Sequence, residues 1–254
     1  MQDRASIVVA MLEAAVIAGD RILAVSVDAL GAETKSDQSP VTLADRAADA
    51  AITDILSAKV PGIPIVSEEN EAALGPPPAG PFFLIDPLDG TRGFIEGSDE
   101  YTVNVALIED GAPTLGVILV PRWGELYWVS AEGHAMTSRD GAPAMIEARA
   151  PPPEGLVALV SRTNRNSETD AFLAAQSISH IVEASSSLKF AQVASGLADV
   201  YPRFAPTSEW DTAAGDAILR AAGGGVRTPD GELLGYGKAG WLNGAFVARG
   251  KAGT

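Results

Sequence analysis

The run Phe82-Phe83-Leu84-Ile85 leads directly into Asp86. Four successive apolar residues without polar alternation read as a strand buried inside a sheet, so the chain must fold with that strand covered. The strand is read as ending at Asp86, in a turn that carries a second carboxylate, Asp89, followed by Gly90 and Thr91. Two acids held around Pro87 and followed by a Gly-Thr step suit a metal ion set against a phosphate, which makes a metal-dependent phosphatase the leading expectation.

Composition narrows the chemistry. The 254 residues include 33 acids and 18 Lys plus Arg, a formal net charge of −15. A duplex nucleic-acid surface needs clustered cations, so nucleic acid is not an expected partner. A small anionic substrate remains compatible if metal ions neutralise it locally. Cysteine is absent and only His134 and His180 occur, which leaves oxygen chemistry by Asp and Glu as the expected mode. The N-terminal stretch carries Asp3, Arg4, Glu13, Asp20 and Arg21 among its apolar residues. It therefore lacks both a signal-peptide core and the ~20 apolar residues of a spanning helix, and a cytoplasmic protein is expected.

Ile7, Met11, Ala14, Ala15, Ala18 and Ile22 recur at helical spacing and predict an amphipathic first helix. Gly31 to Ser39 reads as a mobile polar loop. Pro40 is taken to open a second helix to Lys59, with Val41, Ala44, Ala48, Ala51, Ile52 and Ile55 inward and Asp45 near its start. Ile65 to Ser67 reads as a short strand ending in Glu68 and Glu69. Strands are expected at Val103 to Ile108, Leu115 to Val120 and Glu125 to Val129, with Asp110-Gly111 as the turn between the first two. Ala150 to Gly155, APPPEG, is the expected domain boundary. Beyond it, strands at Leu156 to Val160, Ile181 to Glu183, Asp199 to Tyr201 and Trp241 to Val247 alternate with helices at Asp170 to Ala175, Leu188 to Ala194 and Thr212 to Ala222. The first half therefore reads as α+β and the second as α/β.

Asp86 stands where open α/β sheets place their ligands, at the carboxyl end of a strand. The Leu88 carbonyl, between the two acids, offers a further oxygen to a hard ion. An isolated Asp89 would read better as a turn or helix-cap residue than as a ligand. Its functional reading is supported by Glu68 and Glu69 ending a strand, Asp211 opening a helix after Trp210, and Asp45 opening another. Gly90 lets backbone amides approach an anion, and Thr91 adds a hydroxyl.

Together these residues resemble the inositol monophosphatase superfamily of Mg²⁺-dependent, lithium-sensitive phosphatases. The resemblance rests on IDPLDGTRGFI at Ile85 to Ile95, WDTAAGDAILRAAGG at Trp210 to Gly224, SPVTLAD at Ser39 to Asp45 and SEE at Ser67 to Glu69, all in the family's order. Within the superfamily, SSSLKFAQVASGLADVYPRFAPTSEWDTAAG at Ser185 to Gly215 is most similar to the branch acting on 3'(2'),5'-bisphosphate nucleotides. A layered α-β-α-β-α sugar-phosphatase-like fold is implied, with most metal ligands in residues 1–150, and with Asp211 and the specificity residues in 151–254.

The resemblance further implies Glu68, Asp86, the Leu88 carbonyl, Asp89 and Asp211 as ligands of two or three Mg²⁺ ions. It makes Asp45 and Thr91, with Glu68, the groups acting on the attacking water, and Gly90 and Thr91 the holders of the scissile phosphate. Ser187, Lys189 and Arg203 are expected at the substrate, here the 3'-phosphate of adenosine 3',5'-bisphosphate or its sulfated analogue. A guanidinium suits a second phosphate, whereas the family's inositol-binding members carry an acid in this stretch. An ion pair is the alternative for Arg203. Arg92 departs from the usual Lys or Thr and is read as peripheral. Inositol monophosphate, a sugar bisphosphate or histidinol phosphate remain alternative substrates, and a cation-binding protein without turnover is the alternative of another class. A homodimer and a peripheral association with the inner membrane are left open.

Overall fold

The computed structural model describes residues 3–25, 31, 33–34, 40–73, 75–139 and 141–252. The first half contains α1 (Arg4–Ala24), β1 (Glu33–Thr34), β2 (Pro40–Val41), α2 (Leu43–Lys59) and β3 (Ile65–Ser67). A 3-10 turn over Glu68–Ala73 and β4 (Phe82–Asp89) follow, then α3 (Thr91–Ile95), β5 (Thr102–Glu109), β6 (Ala112–Val120), β7 (Glu125–Val129), β8 (Ala135–Arg139) and β9 (Ala142–Met145). The second half holds β10 (Leu156–Ser161), α4 (Ser167–Ala174), β11 (Ile178–Ala184), α5 (Leu188–Ala194), β12 (Val200–Arg203) and β13 (Thr207–Ser208). It ends with α6 (Ala213–Ala221), β14 (Gly225–Arg227), β15 (Leu242–Asn243) and β16 (Phe246–Arg249).

Two sheets carry the architecture. The larger runs β3-β4-β5-β6-β7-β8-β9, with β3 parallel to β4 and the remaining neighbours antiparallel. The smaller runs β11-β10-β12-β16-β14, parallel on its first three strands and antiparallel beyond. In the hairpin from β5 to β6, Asp110 and Gly111 both take positive φ, 50° and 74°. Such a pair turns a two-residue hairpin with the twist of its strands.

Helices α1 and α2 pack together and against β4, β5 and β6, while α6 packs against β5 to β8 and reaches β14. The two helical layers lie on opposite faces of the larger sheet. On β6, Leu119 meets Gly19 of α1 whereas Gly116 meets Ala214 of α6, and an odd separation along a strand places side chains on opposite faces. Helix α5 packs on α6, β12 and β16, and α4 covers the outer face of the smaller sheet at β12. The layer order is therefore α-β-α-β-α, the expected fold class. One apolar cluster runs through both halves, from Ile7 and Met11 to Phe190, Ile218 and Phe246.

The inner helical layer depends on a close approach at Gly215 of α6, where a Cβ would stand 2.4–2.6 Å from three carbons of the buried Phe190 ring and stem. Gly215→Ala is expected to destabilise the fold by roughly 1–3 kcal/mol through overpacking. Denaturant unfolding measures this, and an unchanged midpoint would mean that Phe190 moves freely.

Several boundaries differ from the sequence expectation, with α4 and β11 each starting three residues early. Helix α2 begins at Leu43 rather than Pro40, because Thr42 and Asp45 form a capping box and Pro40–Val41 pairs with Glu33–Thr34 instead. The rest of the polar stretch read at Gly31 to Ser39 lies mostly outside the described residues. Strand β4 continues through Pro87 to Asp89. The last expected strand divides into β15 and β16, with Trp241 at φ 59° outside both. Among the described residues, no helix is long and apolar enough to cross a membrane.

Candidate active site

The two acids of the Asp86-Pro87-Leu88-Asp89 segment are brought to one side by a bulge rather than by the expected turn. On β5 their partners are Asn104 and Thr102, so three steps on β4 face two on β5, with an irregularity between. Residues two apart on a strand share a face, and the extra residue of the bulge returns Asp89 to the side from which Asp86 projects. Pro87 is tolerated because a bulged residue has no ladder hydrogen bond to donate.

Asp45 occupies the third position of α2. Its Oδ2 accepts the Thr42 amide at 2.8 Å and the Thr42 hydroxyl at 2.5 Å. This leaves Oδ1 facing Thr91, whose Oγ1 lies 2.9 Å away and also 3.0 Å from the Leu88 carbonyl oxygen. A helix cap thus fixes a buried carboxylate and aims its free oxygen at the start of α3.

Glu68 follows β3, Asp86 is in β4, and Asp211 precedes α6, where its Oδ2 also accepts the Ser208 amide at 2.8 Å. One carboxylate oxygen from each of these three residues lies within 4.8 Å of the others. Ligands of an octahedral ion at about 2.1 Å stand about 3.0 Å apart when adjacent and about 4.2 Å when opposite, so the three oxygens are near enough to share a small hard cation. Burial, and then the charges of Glu68, Asp89, Asp211 and Asp45, push the Asp86 carboxyl well above the usual range. Asp211 is pushed well up by burial and then by Asp89 and Glu68. Burial also raises Asp89, against the opposing pull of Lys189 and of the hydrogen bond from the Ser187 amide. All-oxygen donors that repel one another fit a divalent ion such as Mg²⁺. Asp89 lies beside this group of three, with its Oδ2 accepting the Ser187 amide at 2.7 Å.

The chain from Ser185 to Lys189 closes the site from the second half. Ser186 takes φ 56° and its hydroxyl lies 2.8 Å from the Asp89 carbonyl oxygen. Lys189, almost fully buried, donates to the carbonyls of Ser186 at 2.6 Å and Ala184 at 3.3 Å. Burial pulls its ammonium down to about 8, against the opposing charge of Asp89. Lys189 lines the cavity, yet these two hydrogen bonds fasten the turn. Ser187, expected at the substrate, is turned inward. Its buried hydroxyl meets Asn104 Oδ1 at 2.6 Å and Thr102 Oγ1 at 2.8 Å, and Ser186 takes the place at the cavity wall.

The cavity is about 370 Å³ and also includes Glu68, Asp89, Gly90, Thr91, Asp211 and Arg203 in its walls. The Arg203 guanidinium donates to the carbonyls of Ala205 at 3.1 Å and Pro206 at 3.3 Å. Of its five N–H donors, those two are occupied, and among the described residues it has no carboxylate within ion-pair distance. Arg92, read as peripheral, is exposed and lies in the cavity wall.

Sequence reasoning missed Thr102, Asn104, Glu100 and Arg162. Glu100 accepts two hydrogen bonds from Arg162, at 3.2 and 2.9 Å, and one from the Ser185 amide at 2.9 Å. No local motif marks these residues. The signal present was the alternation along β5, which puts Thr102 and Asn104 on one face opposite the two acids.

The comparisons agree with this geometry. A sequence model described as the inositol monophosphatase family matches residues 3–252. The Salmonella typhimurium protein named 3'(2'),5'-bisphosphate nucleotidase CysQ is 42% identical over 229 residues, covering 86% of this chain and 89% of that protein. Its Escherichia coli K12 counterpart of the same name is 40% identical over 229 residues, with the same shares of the two chains covered. The crystal structure of CysQ from Bacteroides thetaiotaomicron, described as a bacterial member of the inositol monophosphatase family, superposes with a TM-score of 0.80 at 35% identity, covering 96% of each chain. An inositol monophosphatase from Zymomonas mobilis superposes with a TM-score of 0.76 at 26% identity over 96% of this chain and 92% of that one. With a family model spanning nearly its whole length and with relatives at 40% identity or more, this chain belongs to the inositol monophosphatase family.

Proposed function

We propose that the chain is a Mg²⁺-dependent phosphomonoesterase that hydrolyses the 3'-phosphate of adenosine 3',5'-bisphosphate to AMP and phosphate, and also accepts the sulfated analogue. The observation that carries this reading is the convergence of Glu68, Asp86 and Asp211 beside the Asp45–Thr91 pair, in a cavity whose wall also bears Arg203. The relatives named for the same activity support the substrate.

Glu68, Asp86, Asp89, Asp211 and the Leu88 carbonyl would hold two or three Mg²⁺ ions, which when bound supply Lewis acidity to the phosphoryl oxygens and acidify a water. The residues of the chain orient the rest. Thr91 donates toward Asp45, so its lone pairs face outward and accept a hydrogen bond from the attacking water, which orients it. Asp45 is held by Thr42 and retains the proton of Thr91 in place. The backbone at Gly90 and Thr91 positions the scissile phosphate. Water adds to phosphorus in line as the bond to the 3' ester oxygen breaks, the proton lost by the water passing to solvent and the departing oxygen taking one up from solvent. No side chain becomes phosphorylated, since both acids of the Asp86–Asp89 segment would serve as ligands.

Arg203 retains three N–H donors for the second phosphate of a bisphosphate. Arg203→Glu is expected to lower kcat/KM for adenosine 3',5'-bisphosphate about tenfold more than for inositol monophosphate. Parallel phosphate-release assays, with Mg²⁺ and with or without Li⁺, make the comparison. Equal losses on both substrates would reduce Arg203 to a structural residue, and greater turnover of inositol monophosphate by the unaltered enzyme would replace the proposed substrate.

A further inference from the structure

A second cleft, of about 290 Å³, shares no lining residue with the first. It lies at the other end of the same two strands. Tyr201, Arg203 and Phe246 face the candidate active site, whereas Asp199 and Arg249 face the second cleft. Between them run the paired positions from Arg203↔Phe246 to Val200↔Arg249, three residue steps or roughly 10 Å of strand.

Cations dominate its wall in a chain whose acids outnumber its bases by 33 to 18. Arg149, Arg227, Arg249 and Lys251 line it, and Asp199 is the acid among its lining residues. Asp199 is already committed, accepting from Arg149 at 2.7 and 2.8 Å and from the Val157 amide at 2.7 Å. Lys251 is paired with Glu147. Arg227 and Arg249 differ from these. Their polar partners are the Gly231 carbonyl at 2.8 Å and the Gln176 amide oxygen at 3.1 Å, and among the described residues neither has a carboxylate within ion-pair distance.

Strand register places these two arginines together. Gly225 of β14 opposes Arg249 of β16, and Arg227 is two residues along on the same face as Gly225. The arginines are therefore diagonal neighbours, with backbones roughly 7–8 Å apart. A Cβ at Gly225 would meet Leu233 Cδ2 at 3.6 Å and nothing else within 4 Å, so this position puts no side chain of its own between them. Arg249 is half-buried, with its guanidinium 5.4 Å from the centre of the Phe172 ring, and burial lowers its pKa with no acid to oppose the shift. A desolvated cation without a counter-ion is stabilised when an anion arrives.

We propose that this cleft is a second anion site, which takes the phosphate group of a small molecule between Arg227 and Arg249. Pro151, Leu156 and Ala252 supply an apolar wall, against which the organic part of a phosphate ester would rest. The site is independent of the substrate assigned to the first cavity.

Amide NMR on the full-length, Mg²⁺-loaded protein tests it, because Gly223, Gly224, Gly225 and Gly250 report on this cleft and Gly90 reports on the other. Titration with inorganic phosphate, and separately with AMP, is expected to give saturable shifts at Gly224 and Gly225. Arg227→Gln, an exposed change, should weaken that response about fivefold or more while leaving the response of Gly90 intact. Tighter saturation by AMP identifies an ester as the ligand, and equal saturation identifies free phosphate. Shifts confined to Gly90, or shifts at Gly224 and Gly225 that survive both Arg227→Gln and Arg249→Gln, would overturn the proposal.

Discussion

Asp86→Asn is expected to lower Mg²⁺-dependent phosphate release by about a thousandfold or more, the scale on which removing a preorganised electrostatic group slows an enzyme. The amide keeps the shape of the side chain and, through its own Oδ1, the 3.1 Å hydrogen bond accepted from the Leu88 amide. Loss of activity will therefore report on charge and not on misfolding. Stability should move the other way. Asp86 is buried among Glu68, Asp89, Asp211 and Asp45, all of which oppose its ionisation. Without divalent metal the neutral variant should unfold at a higher temperature than the parent, by roughly 2–4 °C for about 1 kcal/mol in a domain of this size. Added Mg²⁺ should stabilise the parent more than the variant, because a ligand raises the melting point in proportion to its preference for the folded state. Thermal melts with chelator and with Mg²⁺ measure both effects. A variant that melts lower than the parent in chelator would show that the acids do not strain one another, and near-normal turnover would remove Asp86 from the chemistry.

Gly90→Ala is expected to cost about a hundredfold in kcat/KM and roughly 1–3 kcal/mol of stability, since it combines a left-handed backbone with a steric conflict. Gly90 has φ 96°, and a Cβ built there would stand 2.4 Å from Ser186 Oγ and 3.4 Å from the Glu100 carbonyl. The displaced turn is the one that holds Asp89 through the Ser186 hydroxyl and the Ser187 amide. The loss should therefore be seen in turnover more than in unfolding. Adding Ser186→Gly removes the obstructing hydroxyl and suits the φ of 56° at that position, so the double variant should regain part of the lost activity. If the single variant is fully active, the contact between the two halves at Asp89 does not position the carboxylate. If the double variant is worse than the single, the Ser186 hydroxyl matters more than the clash.

Where local pattern decides structure, the sequence was readable. The stripe of α1 and the limits of α5 and β7 follow from periodicity and turn chemistry, and the structure places them as expected. The start of α2 was misplaced because Pro40 resembles a first-turn proline, although the Thr42-x-x-Asp45 capping box was the better signal. Strands β8 and β9 escaped because their residues are largely half-exposed or exposed and carry little apolar alternation. The acids of the site were recognisable as residue types at strand and helix ends. Their meeting was not, because Glu68, Asp86 and Asp211 come together through the packing of two sheets and α6, which no spacing along the chain encodes. The same reason hid the inward turn of Ser187 and the fastening role of Lys189, since each depends on contacts nearly a hundred residues away or on a carbonyl that only the folded turn presents.

The bulge in β4 makes the length of one short segment critical. The extra residue lets three steps on β4 match two on β5 while both acids keep one side. Removing either Pro87 or Leu88 would leave Asp86 and Asp89 two residues apart in a regular ladder and still on one face, but with a single residue between them. What the bulge adds is therefore the second intervening residue, and with it the Leu88 carbonyl that meets Thr91 Oγ1 at 3.0 Å. A one-residue deletion should thus cost the Asp45–Thr91–Leu88 arrangement while the shared side of the two acids survives.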